Sequence, residues 1–239
     1  MSPQSVHQFA EKVALITDGT SPIGRAVALQ LALQGSYVIV GDPKPDASSR
    51  DTLNELRSLG TLAHSVEADA STVDGSKSLV EAVDNTFGRL DLLVNCLKFV
   101  PQSSFQDSTE SDFDISMRAN IGSVYFVTQA ALHLMTPRPK PRIVNIIYAH
   151  DPTETKEQPL FCAAQAAVLG LTKELAAYLP KHFRVNCVEV KNKKKRPMGL
   201  DPELFPSNSP FSADDAARVV TFLLSSESTS LNGQVFTAG

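Results

Sequence analysis

VALITDGTSPIG, Val13 to Gly24, decides how the chain is read. Val13–Thr17 is a short run, apolar up to its closing threonine and with β-branched residues, the pattern of a strand buried on both faces. Asp18–Ser21 is turn chemistry, and Pro22 suits the first position of a helix because it needs no partner for a backbone N–H. Beyond it Ile23, Val27, Leu31 and Ala32 recur at helical spacing and should face inward. A strand that runs through a polar turn directly into an amphipathic helix is the opening of a strand–helix–strand unit.

Working outward, the same alternation continues almost to the end. YVIVGD (37–42), LAHSVEAD (62–69), LDLLVN (90–95), RIVNII (142–147), FRVNCVEV (183–190) and GQVF (233–236) read as six further strands. Helical patterns fall between them at 22–34, 48–59, 72–87, 109–135, 158–179 and 212–225, and TPRPKPR (136–142) stops the fourth. Strands alternating with helices predict a seven-stranded, doubly wound parallel sheet with helices on both faces. No repeat or linker divides residues 1–239, so one α/β domain is expected. Ligands of such sheets bind outside the carboxyl ends of the strands, where strand order reverses.

Thr17–Gly24, TDGTSPIG, resembles the T-G-x-x-x-G-I-G turn of the short-chain dehydrogenase/reductase family. Thr17, Ile23 and Gly24 match, whereas Asp18 replaces the first glycine and Pro22 the second. LDLLVN with Asn95, MRANIGSVYFVTQAAL with Asn120, RIVNI, RVNCV and LNGQVF extend the likeness nearly end to end. The resemblance implies a single-domain Rossmann fold and a dinucleotide over the first turn. The departures weaken the phosphate site: Pro22 adds bulk and removes a donor. Asp18 adds a like charge costing on the order of 3 kcal/mol at ~5 Å before screening. Asp42, closing the second strand, stands where an acid would bond a ribose 2′-hydroxyl, and Asp69 matches the family's acidic residue beside the adenine. Aspartates at strand ends also make turns. The expected cofactor-binding set is therefore Thr17, Asp18, Pro22, Ile23, Gly24, Asp42, Asp69 and Asn95, in degenerate form. No cofactor is expected, and NAD(H) rather than NADP(H) if any dinucleotide binds.

The family transfers hydride between nicotinamide and a carbonyl or alcohol. The resemblance implies a tyrosine as acid–base group, a lysine four residues later that lowers its pKa, a serine 13 residues before it, and an asparagine in the proton relay. In FCAAQAAVLGLTKELA the register puts Phe161 at the tyrosine and Gln165 at the lysine, with Tyr148 at the serine; Asn120 alone is kept. Phe161 has no proton to give and Gln165 no charge to lend. Lys98 replaces a family glycine after the fourth strand, and Val190-Lys191 replaces the Pro-Gly after the sixth. Tyr148, His150 and Lys156 sit where an acid could be relocated, although Tyr148 has no lysine at helical spacing.

A net charge of −4 gives no general pull toward nucleic acid or anionic membrane. The N-terminus lacks the apolar core of a secretory signal and no run has the apolar length of a membrane span, so a cytoplasmic protein is expected. Cys96, Cys162 and Cys187 lie apart in apolar stretches, which fits buried thiols better than a metal or disulfide framework. Three functions remain. The first is a non-catalytic member acting as subunit or scaffold, in a homo-oligomer or beside an active paralogue. The second is an NAD(H)-dependent oxidoreductase with a rebuilt site. The third is a nucleotide or acyl-CoA/acyl-carrier sensor, for which Lys191, Lys193, Lys194, Lys195 and Arg196 could meet an acidic or phosphorylated partner, or else form a solvated loop.

Overall fold

The computed structural model describes residues 7–96, 98–149, 159–191 and 213–238. Seven parallel strands form one sheet in the order β3-β2-β1-β4-β5-β6-β7. They are β1 (Val13–Ile16), β2 (Tyr37–Asp42), β3 (Ala63–Glu67), β4 (Leu92–Asn95), β5 (Arg142–Tyr148), β6 (Arg184–Val190) and β7 (Val235–Ala238). The helices are α1 (Pro22–Leu33), α2 (Ala47–Ser58), α3 (Val73–Phe87), α4 (Glu110–Met117), α5 (Ser123–Met135), α6 (Pro159–Tyr178) and α7 (Ala213–Leu224). This is the expected single-domain Rossmann arrangement.

Alternating side chains of each strand feed two separate layers. Ala14, Ile16, Val40, Val94 and Val144 pack with Val27 and Leu31 of α1 and Val220 and Leu224 of α7. Leu15, Ile39, Leu93 and Ile143 pack with Leu79 and Val83 of α3 and Val127 and Met135 of α5. Each of the Val, Leu, Ile and Met side chains so withdrawn from water contributes about 1.5–3 kcal/mol. Ile23, Val27, Leu31 and Ala32 are all buried, as their spacing requires.

Several features differ from the sequence reading. The expected helix over 109–135 is broken by a π-helical turn at Arg118–Gly122, which carries Asn120. The last strand begins two residues late, because Gly233 turns at φ +70° and Gln234 is held by Asn186 before the ladder starts. Cys162 is only half-buried, whereas Cys96 and Cys187 are buried as expected. α6 has the length and apolar character of a membrane span, with mean hydropathy 1.3 over its best window, a property the sequence reading did not credit. In this fold its Phe161, Ala164, Gln165, Val168 and Thr172 are buried on one face, and the helix packs on β5 and β6.

At the amino ends of the strands Asp91 ties the sheet together. Its buried carboxylate accepts from Val13 N at 3.1 Å and pairs with Lys12, Arg89 and Arg138. That end is stapled shut by charge. The carboxyl ends carry the candidate site.

Candidate functional site

β1 and β4 are neighbours, with Ile16 paired to Val94, while the chain leaves them in opposite directions across the sheet. The switch point therefore lies between Thr17 and Cys96, as the fold rule requires. Thr17 is fully buried, and its hydroxyl accepts from Cys96 N at 2.9 Å. It latches the two strands together and does not reach the cleft. Asn95 is likewise turned inward, donating to Asn145 Oδ1 at 2.8 Å and Thr128 Oγ1 at 3.3 Å. Both were expected to contact cofactor, and the pleat sends both into the protein.

The first turn is closed on itself. Ser21 caps α1: its hydroxyl accepts from Gly24 N at 3.2 Å and donates to Asp18 O at 2.7 Å. Gly19 N is spent on Gly41 O and Ser21 N on Asp18 O. Pro22 opens the helix and offers no N–H. Gly24 is required by packing, since a Cβ there would stand 2.3 Å from Asp18 O. Asp18 itself adopts φ +49°, the left-handed region where the family glycine would sit without strain. Burial and then the Asp42 carboxylate raise its pKa from 3.8 to about 6, against a smaller opposing effect from Ser21.

Asp42 is buried at the end of β2. Its Oδ2 accepts from Thr20 Oγ1 at 2.6 Å and Ser49 Oγ at 2.5 Å, and its Oδ1 from Lys44 N at 2.9 Å. Three of the roughly four acceptor positions of a carboxylate are thus used inside the protein. Asp69 is exposed and holds Ser71 N at 2.9 Å, leaving its outer edge to solvent. The residues present fit the adenosine half of a dinucleotide in part. Its pyrophosphate would meet Asp18, no N–H at Pro22, and the engaged N–H groups of Gly19, Ser21 and Gly24.

Four positions from β5, α6 and the π turn complete the cleft. Gln165 is buried, accepts from Tyr148 N at 2.8 Å and donates to Asn120 Oδ1 at 3.2 Å. Asn120 also donates to Phe99 O and Ser116 O, both at 2.9 Å, and accepts from Phe99 N at 3.2 Å. Phe161, 4% exposed, lies one turn before Gln165 on the same buried face. The buried Cys96 thiol lies 3.8 Å from Ser21 Oγ and near Tyr148. Burial, then the neighbouring Cys96 and Asp18, push the Tyr148 pKa well above its ordinary value. Burial and then Asp18 push Cys96 up to about 12.

One neighbour of Tyr148 escaped the sequence. The Lys98 ammonium sits 4.2 Å from the Tyr148 ring centroid and 5.9 Å from that of Phe161. The signal was available across the sheet: Asn95 pairs with Asn145, and the same offset of fifty residues separates Lys98 from Tyr148. A search for lysines at helical spacing along the chain could not find it. His150, Lys156, Lys193, Lys194, Lys195 and Arg196 lie outside the described residues; Lys191 is exposed and pairs with Glu189 at 3.6 Å.

Comparison with known proteins agrees with this fold. The family described as enoyl-(acyl carrier protein) reductase matches residues 19–238. The short-chain dehydrogenase/reductase FrzI of a Cladobotryum species is 31% identical over 180 residues, covering 74% of this chain and 69% of that protein. The chain belongs to the short-chain dehydrogenase/reductase family. A 3-oxoacyl-(acyl-carrier-protein) reductase of Thermotoga maritima is 30% identical over 94% of both chains. Among solved structures, acetoin dehydrogenase from Enterobacter cloacae superposes with TM-score 0.84 at 29% identity, covering 96% of this chain and 94% of that one. An L-sorbose reductase from Gluconobacter frateurii, solved with NADPH and L-sorbose, also superposes at 0.84, but at 20% identity it speaks to fold alone.

Gln165 crosslinks Asn120 and the end of β5, and Phe161 fills buried space on the same helix face. Asn120 is carried by the π turn, a device common at functional sites.

Proposed function

We propose that this chain is a non-catalytic member of its family, serving as a subunit or scaffold beside itself or an active relative. The observation that carries the reading is the Gln165 bridge. Its amide satisfies Asn120 and the end of β5 at once, so the groups that would relay a proton hold the backbone instead. A positioned acid–base group is worth about 10²–10⁴ in rate, and Phe161 supplies none. Tyr125 and Tyr178 stand exposed on α5 and α6, beside an apolar groove lined by Leu132 and Leu175, which suits a further helix packing there. The expectation of no cofactor gives way here to weakened dinucleotide binding, with the adenosine end engaged. The buried carboxylate of Asp42 favours NAD(H) over a 2′-phosphorylated form.

A second reading is an NAD(H)-dependent oxidoreductase with a rebuilt site, and two observations favour it. The relatives named above are reductases and dehydrogenases. Lys98 over Tyr148 is a lysine–tyrosine contact at the strand ends. Against it, the ammonium sits over the ring, and burial with the neighbouring Cys96 and Asp18 raises the Tyr148 pKa, the reverse of what an acid–base tyrosine needs. Steady-state consumption of NADH with acetoin and short 3-oxoacyl thioesters separates the two. No consumption above the protein-free rate is expected; sustained turnover lost in Tyr148→Phe would establish the second reading.

A further inference from the structure

The candidate site lies at one end of the sheet, and a concentration of positive charge lies at the other. Arg142 opens β5 and Arg184 opens β6, and the parallel register sets them side by side. Arg142 is 3% exposed, yet among the described residues its guanidinium bonds only a neutral hydroxyl, Nη2 donating to Thr229 Oγ1 at 3.1 Å. Arg184 is spent on carbonyls, donating from Nε to Thr229 O at 2.5 Å and from Nη1 to Lys181 O at 2.7 Å and Phe183 O at 2.6 Å. Arginine is rarely withdrawn from water without a counter-ion. Here two stand together, and among the described residues no carboxylate pairs with either. Exposed Lys140 and Lys181 flank them on two adjoining loops. Arg184 N bonds Pro141 O at 3.2 Å, and His182 Nε2 lies 3.2 Å from Thr136 O. Lys12, Arg89 and Arg138 complete this end, all three sharing the buried carboxylate of Asp91. Seven cations are thus gathered around one paired carboxylate, since Glu11 beside Lys12 and Glu227 just before Thr229 pair with none of them.

We propose that this amino-terminal end of the sheet docks a short acidic segment of a partner protein, whose carboxylates meet Lys140, Lys181 and Arg184 while Arg142 adds its charge from behind. The chemistry of the partner follows from charge and extent. A carboxylate is a planar acceptor that matches the edge of a guanidinium. Arg184 keeps its second Nη uncommitted among the described residues, and both lysines keep their ammonium groups so. The chain as a whole carries −4, so the surface beyond this end is acidic. A long polyanion such as nucleic acid would run off the basic face onto repelling surface, whereas a short peptide would not. The separation of charge also steers an acidic segment toward this end before contact. The face lies at the opposite ends of the strands from the candidate site. It requires neither bound dinucleotide nor the absence of turnover, and so goes beyond the proposed function.

The test is fluorescence anisotropy of a fluorescein-labelled octaglutamate titrated with the full chain at about 20 mM and about 200 mM salt. Saturable binding is expected at the lower salt, weakening about tenfold or more at the higher. Lys140→Glu with Lys181→Glu should weaken low-salt binding about tenfold or more. Lys77→Glu with Lys173→Glu, exposed on α3 and α6, changes the net charge equally and should stay within about threefold. None of these four ammonium groups holds another described residue, so the fold is left as it is. The proposal is overturned if octaglutamate does not saturate, if neutral octaglutamine binds as well, or if the two lysine pairs matter equally. It is overturned too if an oligothymidylate of the same charge or phosphatidylserine vesicles bind more tightly than octaglutamate. Neither cofactor nor turnover enters this assay, so its failure sinks this inference alone, and turnover with peptide binding intact sinks only the proposed function.

Discussion

Replacing Asp18 by Asn probes the first turn with the fewest side effects. Asn tolerates the left-handed φ of +49° nearly as well as Asp, keeps its size, and cannot ionise. In the parent, burial and the Asp42 carboxylate lift the Asp18 pKa from 3.8 to about 6. A raised carboxyl pKa means the folded state binds the proton more tightly than the unfolded chain. The stabilising contribution is complete below about 3.8 and is lost as pH rises through about 6. Carried through linkage, the ionised group destabilises the fold by about 3 kcal/mol at pH 7.5 and about 1.5 kcal/mol at pH 5. Asp18→Asn should therefore raise Tm by about 6–12 °C at pH 7.5 and by about half as much at pH 5. Paired thermal melts of parent and variant between pH 5 and 8 isolate this difference, because every other titrating group is common to both. A Tm difference that does not change with pH would refute the reasoning. The same variant should bind ADP-ribose more tightly at pH 7.5, since the charge facing the phosphates is gone.

On the proposed function, in which Asp18 and Pro22 hinder the pyrophosphate, Phe161→Tyr with Gln165→Lys should give little turnover. It should also cost about 2–3 kcal/mol in denaturant unfolding, since the buried Gln165 bonds to Asn120 and Tyr148 N are lost. Robust activity from this double change would show that the first turn accepts cofactor as it stands. Asp91 behaves oppositely to Asp18. Burial alone would raise its pKa, but Val13 N, Lys12 and Arg138 together hold it below 3.8. Its stabilisation is present above that value and lost as pH falls through the lowered pKa, so Asp91→Asn should destabilise by on the order of 2–3 kcal/mol at pH 7, with the gap closing in acid melts.

The sheet was legible because β1, β4 and β5 are buried on both faces and so read as unbroken apolar runs between turn signals. That Phe161 and Gln165 share one buried face was legible from their spacing of four along one helix. The π turn at Arg118–Gly122 was not, because one extra residue in a helical turn barely alters the apolar pattern around it. The fates of Thr17, Asn95 and Asp42 were hidden for another reason: composition names a residue, and only the pleat and its neighbours decide whether it faces the cleft or the core. Lys98 is the clearest case. Its partner Tyr148 is one strand away in space and fifty residues away in sequence.

The central claim is that no group in this cleft delivers a proton to a carbonyl in step with hydride. The most direct test is single-turnover incubation of the chain, in excess, with NADH deuterated at the transferring position and acetoin or a 3-oxoacyl thioester, read by mass spectrometry of the product. The account predicts no deuterium in the alcohol beyond a protein-free control. Deuterated alcohol formed by the parent and missing with Tyr148→Phe would contradict it.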